Sequence, residues 1–206
     1  MVCAFTINDI ELKMGEAEIY LVRHGETQWN TEGRFQGRMD SALTRTGLKQ
    51  AASIGRLLAS LSLRVETFVA SPLRRTVQTA SIIADISNLS PPQYDNRLVE
   101  VSLGSWDGLT HIDIDALWPG ALDGSSPFDW YFRSPDGESY DTALERVKRW
   151  LEDQQGVTIA VSHGLTSRII RGAYRGLIRE EALSLPVPQD VVWRLSSGKI
   201  ESVPVN

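Results

Sequence analysis

Apolar residues recur in this chain with two different periods, and the switch between them divides it into strands and helices. Ile19-Tyr20-Leu21-Val22 is a short apolar run of strand-forming residues, the pattern of a strand buried on both faces. Val65 to Ala70 and Val157 to Val161 are runs of the same kind. Elsewhere the period lengthens. Behind Thr44, a suitable N-cap, Leu48, Ala51, Ala52, Gly55, Leu58 and Leu61 fall at helical spacing. Ser71-Pro72 reads as N-cap plus first-turn proline, opening a helix with Leu73, Val77, Ala80 and Ala84 on one face, closed by Pro91-Pro92. Ser139 caps a helix carrying Leu144, Val147, Trp150 and Leu151, with Gly156 as its stop, and a further helix runs from about Thr166. Val191 to Leu195, Ser196-Ser197-Gly198 and Lys199 to Val203 form an edge hairpin. Strands alternating with helices predict a three-layer α/β/α sandwich with a mostly parallel sheet.

Two segments depart from this pattern. Residues 1–17 are weakly patterned and read as an N-terminal extension of one domain spanning 1–206. Trp118 to Ser139 is rich in proline, glycine and aromatics, and reads as a long irregular insert. Such inserts serve as lids or specificity walls. The alternative is that the aromatics of this one plug the domain's flank.

Composition narrows the function. With 42% hydrophobic and 23% charged residues, 206 residues suffice for one well-packed core. The net charge of −5, with no basic run, argues against nucleic acid or an anionic membrane as partner. The single cysteine, Cys3, excludes an intrachain disulfide and a paired-cysteine metal site. No apolar run approaches the roughly 18 residues of a membrane span, and the first residues do not read as a secretory signal, so the cytoplasm is the default location. The sequence leaves a homodimer open.

The chemistry gathers at strand ends. His24, beside Arg23, follows the first strand; Ser71, with Arg74 and Arg75 in the next turn, follows the second; His163 follows the third. Ligand sites of open parallel sheets form beyond the carboxyl ends of the strands, so these residues should converge. Two imidazoles could suggest a metal, but a metal site wants further ligands, and the neighbouring arginines repel cations. Guanidinium groups suit a phosphoryl group, as do the free N–H groups of a helix start. A neutral imidazole beside positive charge is a capable nucleophile. A proton donor is still needed, and Glu100 is the candidate, a carboxyl in the apolar stretch Leu98-Val99-Glu100-Val101. From composition alone, an ordinary solvated glutamate is the favoured reading of Glu100.

Leu21-Val22-Arg23-His24-Gly25-Glu26-Thr27, followed by Trp29-Asn30, resembles the signature of the histidine phosphatase superfamily, in its phosphoglycerate mutase-like branch. The resemblance continues through Phe35-Gln36-Gly37, Leu43-Thr44, Ser71 to Thr76, Leu98-Val99-Glu100, Gly137-Glu138-Ser139 and Val161-Ser162-His163-Gly164. It implies the phosphoglycerate mutase-like fold and a phosphorylated nucleophile at His24. Arg23, Arg75 and His163 would then complete the phosphate pocket, and Glu100 would be the proton donor. The family's spacing selects Arg75 over Arg74. Asn30 would be a further phosphate contact, with Thr27, Gln36, Gly37 and Gly164 lining the pocket. No metal or other cofactor is implied. His111 matches no motif and reads as a surface histidine at a helix start.

Three functions follow: a phosphatase acting on a small phosphorylated metabolite through phospho-His24, a phosphoglycerate mutase-type phosphoryl transferase, and a non-catalytic phosphate-binding module. The resemblance gives mutases a longer, more basic insert. Here the insert offers mainly Arg133 against Asp123, Asp129 and Asp136, which favours the phosphatase.

Overall fold

The computed structural model describes residues 17–126 and 128–205. The expected extension lies outside the described residues, except for Ala17, which is buried directly before the first strand. Six strands form one sheet: β1 (Glu18–Arg23), β2 (Thr67–Ala70), β3 (Gln93–Tyr94), β4 (Val157–Ser162), β5 (Val191–Ser196) and β6 (Lys199–Pro204). Their order is β3-β2-β4-β1-β5-β6. The first four are parallel and the last two antiparallel. The C-terminal hairpin forms, but β5 pairs with β1, so of the hairpin's two strands only β6 lies at the edge. Helices are α1 (Gln28–Thr31), α2 (Arg45–Ser60), α3 (Arg74–Ser87), α4 (His111–Leu117), α5 (Tyr140–Glu152), α6 (Gly164–Arg175) and α7 (Arg179–Ser184).

Side chains alternate across a strand, so the sheet has two apolar faces to cover. Ile19 and Leu21 point into a core with Val147, Trp150, Leu151, Ile169 and Ile170 of α5 and α6. Tyr20 and Val22 point the other way, onto Ile54, Leu58, Ala80 and Ile83 of α2 and α3. Each fully buried large apolar side chain contributes roughly 1.5–3 kcal/mol. The layers are those the pattern predicts.

Three local expectations are corrected. On α2, Leu48 and Leu61 face solvent and Ile54 completes the buried stripe. The expected helix at Ser71-Pro72 starts later, at Arg74, with Leu73 in the capping position. The carboxylate of Asp40, far away in sequence, accepts from the backbone N–H of Arg74 at 3.0 Å and of Arg75 at 3.3 Å. It does the work expected of the Ser71 hydroxyl. Helix α5 ends at Glu152, well before Gly156. The insert is irregular as expected. Its Trp130 packs with Leu103, Trp106 and Ile114 in a third apolar cluster, so it does plug the flank.

The sheet ladder continues one step past the strands. His24 donates its backbone N–H to Ser162 O at 3.0 Å, and Ser71 donates to Val161 O at 2.9 Å. This sets His24, Ser71 and His163 at one level. The loop after β1 then crosses the first turn of α2 with no room to spare. A Cβ on Gly47 would lie 2.1 Å from Glu26 O, and one on Gly25 would lie 2.4 Å from Gly47 O. Gly47→Ala should therefore destabilise the protein by about 1–3 kcal/mol, read as a lower urea midpoint. An unchanged midpoint would show that the crossing has slack.

Candidate active site

Beyond the carboxyl ends of β1, β2 and β4 opens a cleft of about 260 Å³. His24 lies in its floor, 2% exposed, with its ring centroid 5.3 Å from that of His163. A carbonyl oxygen only accepts, so the 2.8 Å contact from His24 Nδ1 to Gly25 O fixes the proton on Nδ1. The lone pair of the neutral ring then sits on Nε2. Both imidazoles are held well below the usual histidine range. For His24 the causes are burial, then the charges of Arg75 and Arg23. For His163 they are burial, then Arg75 and the His24 ring.

Arg75 is 1% exposed and fixed from three sides. Its Nη1 donates to Met39 O at 2.6 Å and to Asp40 Oδ1 at 2.7 Å, and its Nη2 donates to Gly37 O at 2.8 Å. Asp40 thus caps α3 and neutralises part of the guanidinium with one carboxylate. Arg74, next along, is exposed, so one of the adjacent pair enters the site, as expected. Arg23 donates from Nη1 to Val187 O at 2.5 Å and lies against Gly164. His163 Nε2 lies 2.7 Å from Ser71 Oγ. The backbone N–H of Leu73 also donates to that oxygen, at 3.4 Å.

These restraints leave a residue of unmet donors. Among the described residues four buried side-chain nitrogens lack a partner: Arg23 Nε, Arg75 Nε, His163 Nδ1 and Trp106 Nε1. Three of the four belong to the site. Buried N–H groups without partners are costly, and a cluster of them with two positive charges is complementary to an oxyanion.

The other expected residues take differing positions. Glu100, Asn30, Gln36, Gly37 and Gly164 line the cleft. Thr27 does not: its hydroxyl accepts from Asn30 N at 3.2 Å and it caps α1, so it positions Asn30. Asn30 spends its side-chain oxygen on Thr27 N at 3.1 Å. Glu100, expected in apolar surroundings, is instead held at the start of α6. It accepts from Leu165 N at 3.2 Å, Thr166 N at 3.0 Å and Thr166 Oγ1 at 3.0 Å. His111 is exposed, as expected, though its ring lies 4.4 Å from that of Trp130 and 4.8 Å from that of Phe35. Among the described residues no three His, Cys, Asp or Glu side chains are grouped to hold a metal, and no helix is long and apolar enough to cross a membrane.

Several site residues were not singled out from sequence. Gln189 donates its amide to His24 O at 3.1 Å and Asn30 Oδ1 at 3.2 Å. Its signal was topological: β5 pairs Val192 with Val22, so the residues before β5 lie just past the end of β1. Arg34, Arg168 and Leu103 also line the cleft, as does Tyr131 from the insert. The insert therefore supplies both a flank plug and a cleft wall.

The model of the histidine phosphatase superfamily (branch 1) matches residues 19–198. A probable phosphoglycerate mutase GpmB of Salmonella arizonae is 38% identical, over 90% of this chain and 91% of its own. Bacillus stearothermophilus YhfR superposes with a TM-score of 0.77 at 27% identity, over 91% of this chain and 95% of that one. A mycobacterial glucosyl-3-phosphoglycerate phosphatase complexed with VO3 gives 0.71 at 26%, over 91% and 97%.

The histidine environment makes stability depend on pH. An unfolded histidine takes up its proton near pH 6.5, whereas folded His24 and His163 stay neutral to well below that. The unfolded chain thus binds more protons as the pH falls below about 6.5, and the contribution of these sites, full above that value, is lost on the way down. The urea midpoint should drop between about pH 7.5 and pH 5.5, and two of the three histidine ring signals should not shift across that span. Both rings titrating near pH 6.5 would contradict this.

Proposed function

We propose, for a chain that belongs to the histidine phosphatase superfamily (branch 1), that it hydrolyses a small phosphomonoester through a phosphohistidine on His24. The observation that carries this reading is the cluster of unpartnered nitrogens on Arg23, Arg75 and His163 beside an imidazole whose proton sits on Nδ1, which leaves the lone pair on Nε2. Nε2 attacks phosphorus as the bond to the alkoxy oxygen breaks. The arginine and histidine donors stabilise the charge on the three equatorial oxygens. Glu100, on the cleft wall, gives its proton to the leaving oxygen. It then takes one from the water that attacks the phosphohistidine, releasing phosphate and restoring neutral His24. The substrate is a small phosphorylated metabolite, in keeping with the cleft's size.

The mutase-type reading, in which the phosphoryl group passes to another hydroxyl, has one observation in its favour. Arg168 stands at the cleft with no carboxylate partner among the described residues, suited to a second anionic group. The relatives named probable phosphoglycerate mutase agree with it. Against it, Arg133, the main basic residue of the insert, is committed to Asp123 O at 2.7 Å, Gly124 O at 3.1 Å and the Asp129 carboxylate. That favours the phosphatase. A cytoplasmic location remains part of the proposal, read from the sequence alone.

His24→Ala should lower hydrolysis of an aryl phosphate by at least about 10³-fold with the fold intact, and wild-type activity in that variant would end the reading. Glu100→Gln should slow an alkyl phosphate by about 10²–10⁴-fold but an activated aryl phosphate by much less, since a good leaving group needs little protonation. Equal losses on both substrates would remove Glu100 from the donor role.

A further inference from the structure

Residues 185–187 separate the cleft from a second cavity, of about 540 Å³. Its walls are Arg171 and Arg175 of α6, Leu177, Leu185 and Pro186, and Trp193, Lys199, Ile200 and Glu201 of the β5–β6 hairpin. Arg171 is 1% exposed, its guanidinium carbon 4.2 Å from the centroid of Trp193. Its Nε donates to Ser167 O at 3.3 Å and its Nη2 to Pro186 O at 2.5 Å. Its Nη1 has no bond among the described residues.

The charge of this arginine is uncompensated. Burial, then the like charge of Arg168, lowers its pKa to about 10, and no carboxylate acts against them. At neutral pH it is still a cation. A buried cation with no carboxylate beside it is rare, since the penalty of burial is normally offset by an ion pair. The rim's one carboxylate is spent on another arginine. Glu201 is bonded to Arg194 at 2.9 Å, Arg175 is bonded to Gly198 O, and Lys199 is exposed.

We propose that this cavity is a second ligand site, for a small organic monoanion with a flat apolar body, of the arenecarboxylate or arenesulfonate class. The buried Arg171 guanidinium meets the ligand's negative charge, and Arg175 and Lys199 add positive charge at the rim. Leu177, Leu185, Pro186 and Ile200 give the rest of the ligand an apolar wall that a phosphomonoester dianion would not gain from. The cleft beyond β1, β2 and β4, lined by Arg23, Arg34, Arg75 and Arg168, prefers the dianion. The two sites are therefore selective for different ligands across one strap of chain.

The fluorescent sulfonate 8-anilinonaphthalene-1-sulfonate serves as the probe, titrated into the full chain with saturating orthovanadate present to block the cleft. The site predicts saturable binding of one dye per chain, unmoved by vanadate. Two variants should each weaken it by about tenfold or more: Arg171→Met, which removes the cation, and Ile200→Glu, which sets a like charge on the wall. Ile200 is only partly buried, so its variant carries the test should Arg171→Met fail to fold. Absence of saturable binding, displacement of the dye by vanadate, or wild-type affinity in folded Ile200→Glu would each overturn the proposal. None of these readings uses catalysis, so the cavity stands or falls apart from the function of the cleft.

Discussion

The structure turns on keeping positive charge beside a histidine without protonating it. Arg23 and Arg75 stand next to a buried imidazole, and their charge together with that burial keeps the ring neutral. A neutral ring offers a nucleophile only if its proton is on the other nitrogen, which the carbonyl of Gly25 ensures. The same arginines are then ready-made partners for the anion the nucleophile attacks. One arrangement supplies the reactive tautomer, the electrostatic pull and the binding site.

Such an arrangement opposes stability, and the fold answers with backbone carbonyls rather than with acids. Arg75 is offset by a single carboxylate, Asp40, and by the carbonyls of Gly37 and Met39. Arg23 is held by Val187 O. Arg168 and Arg171 hold the preceding carbonyls, Leu185 and Pro186. Three successive carbonyls of the strap before β5 thus each meet a different arginine. More carboxylates would have neutralised the arginines and repelled the phosphoryl group. Carbonyl dipoles fix the side chains and leave their charge in place.

Much of this was legible in the sequence because the chemistry lies where short apolar runs end. His24, Ser71 and His163 each directly follow a strand, so recognising three strands in a parallel sheet was enough to bring them together. What escaped depended on contacts distant in sequence. Ser71-Pro72 looked like a helix start, yet Asp40 caps α3 and releases Ser71 to meet His163. Thr27 carries the right motif, yet its hydroxyl is used up within α1. Glu100 has apolar sequence neighbours but polar spatial ones, the opening N–H groups of α6. Gln189 could be placed only once the β1–β5 register was known.

A crystal structure of the protein with orthovanadate tests the central claim most directly. Vanadium should lie within bonding distance of His24 Nε2, with Arg23 Nε, Arg75 Nε and His163 Nδ1 each donating to a vanadate oxygen. A vanadate bound elsewhere, or one in the cleft that leaves those three nitrogens without partners, would contradict it.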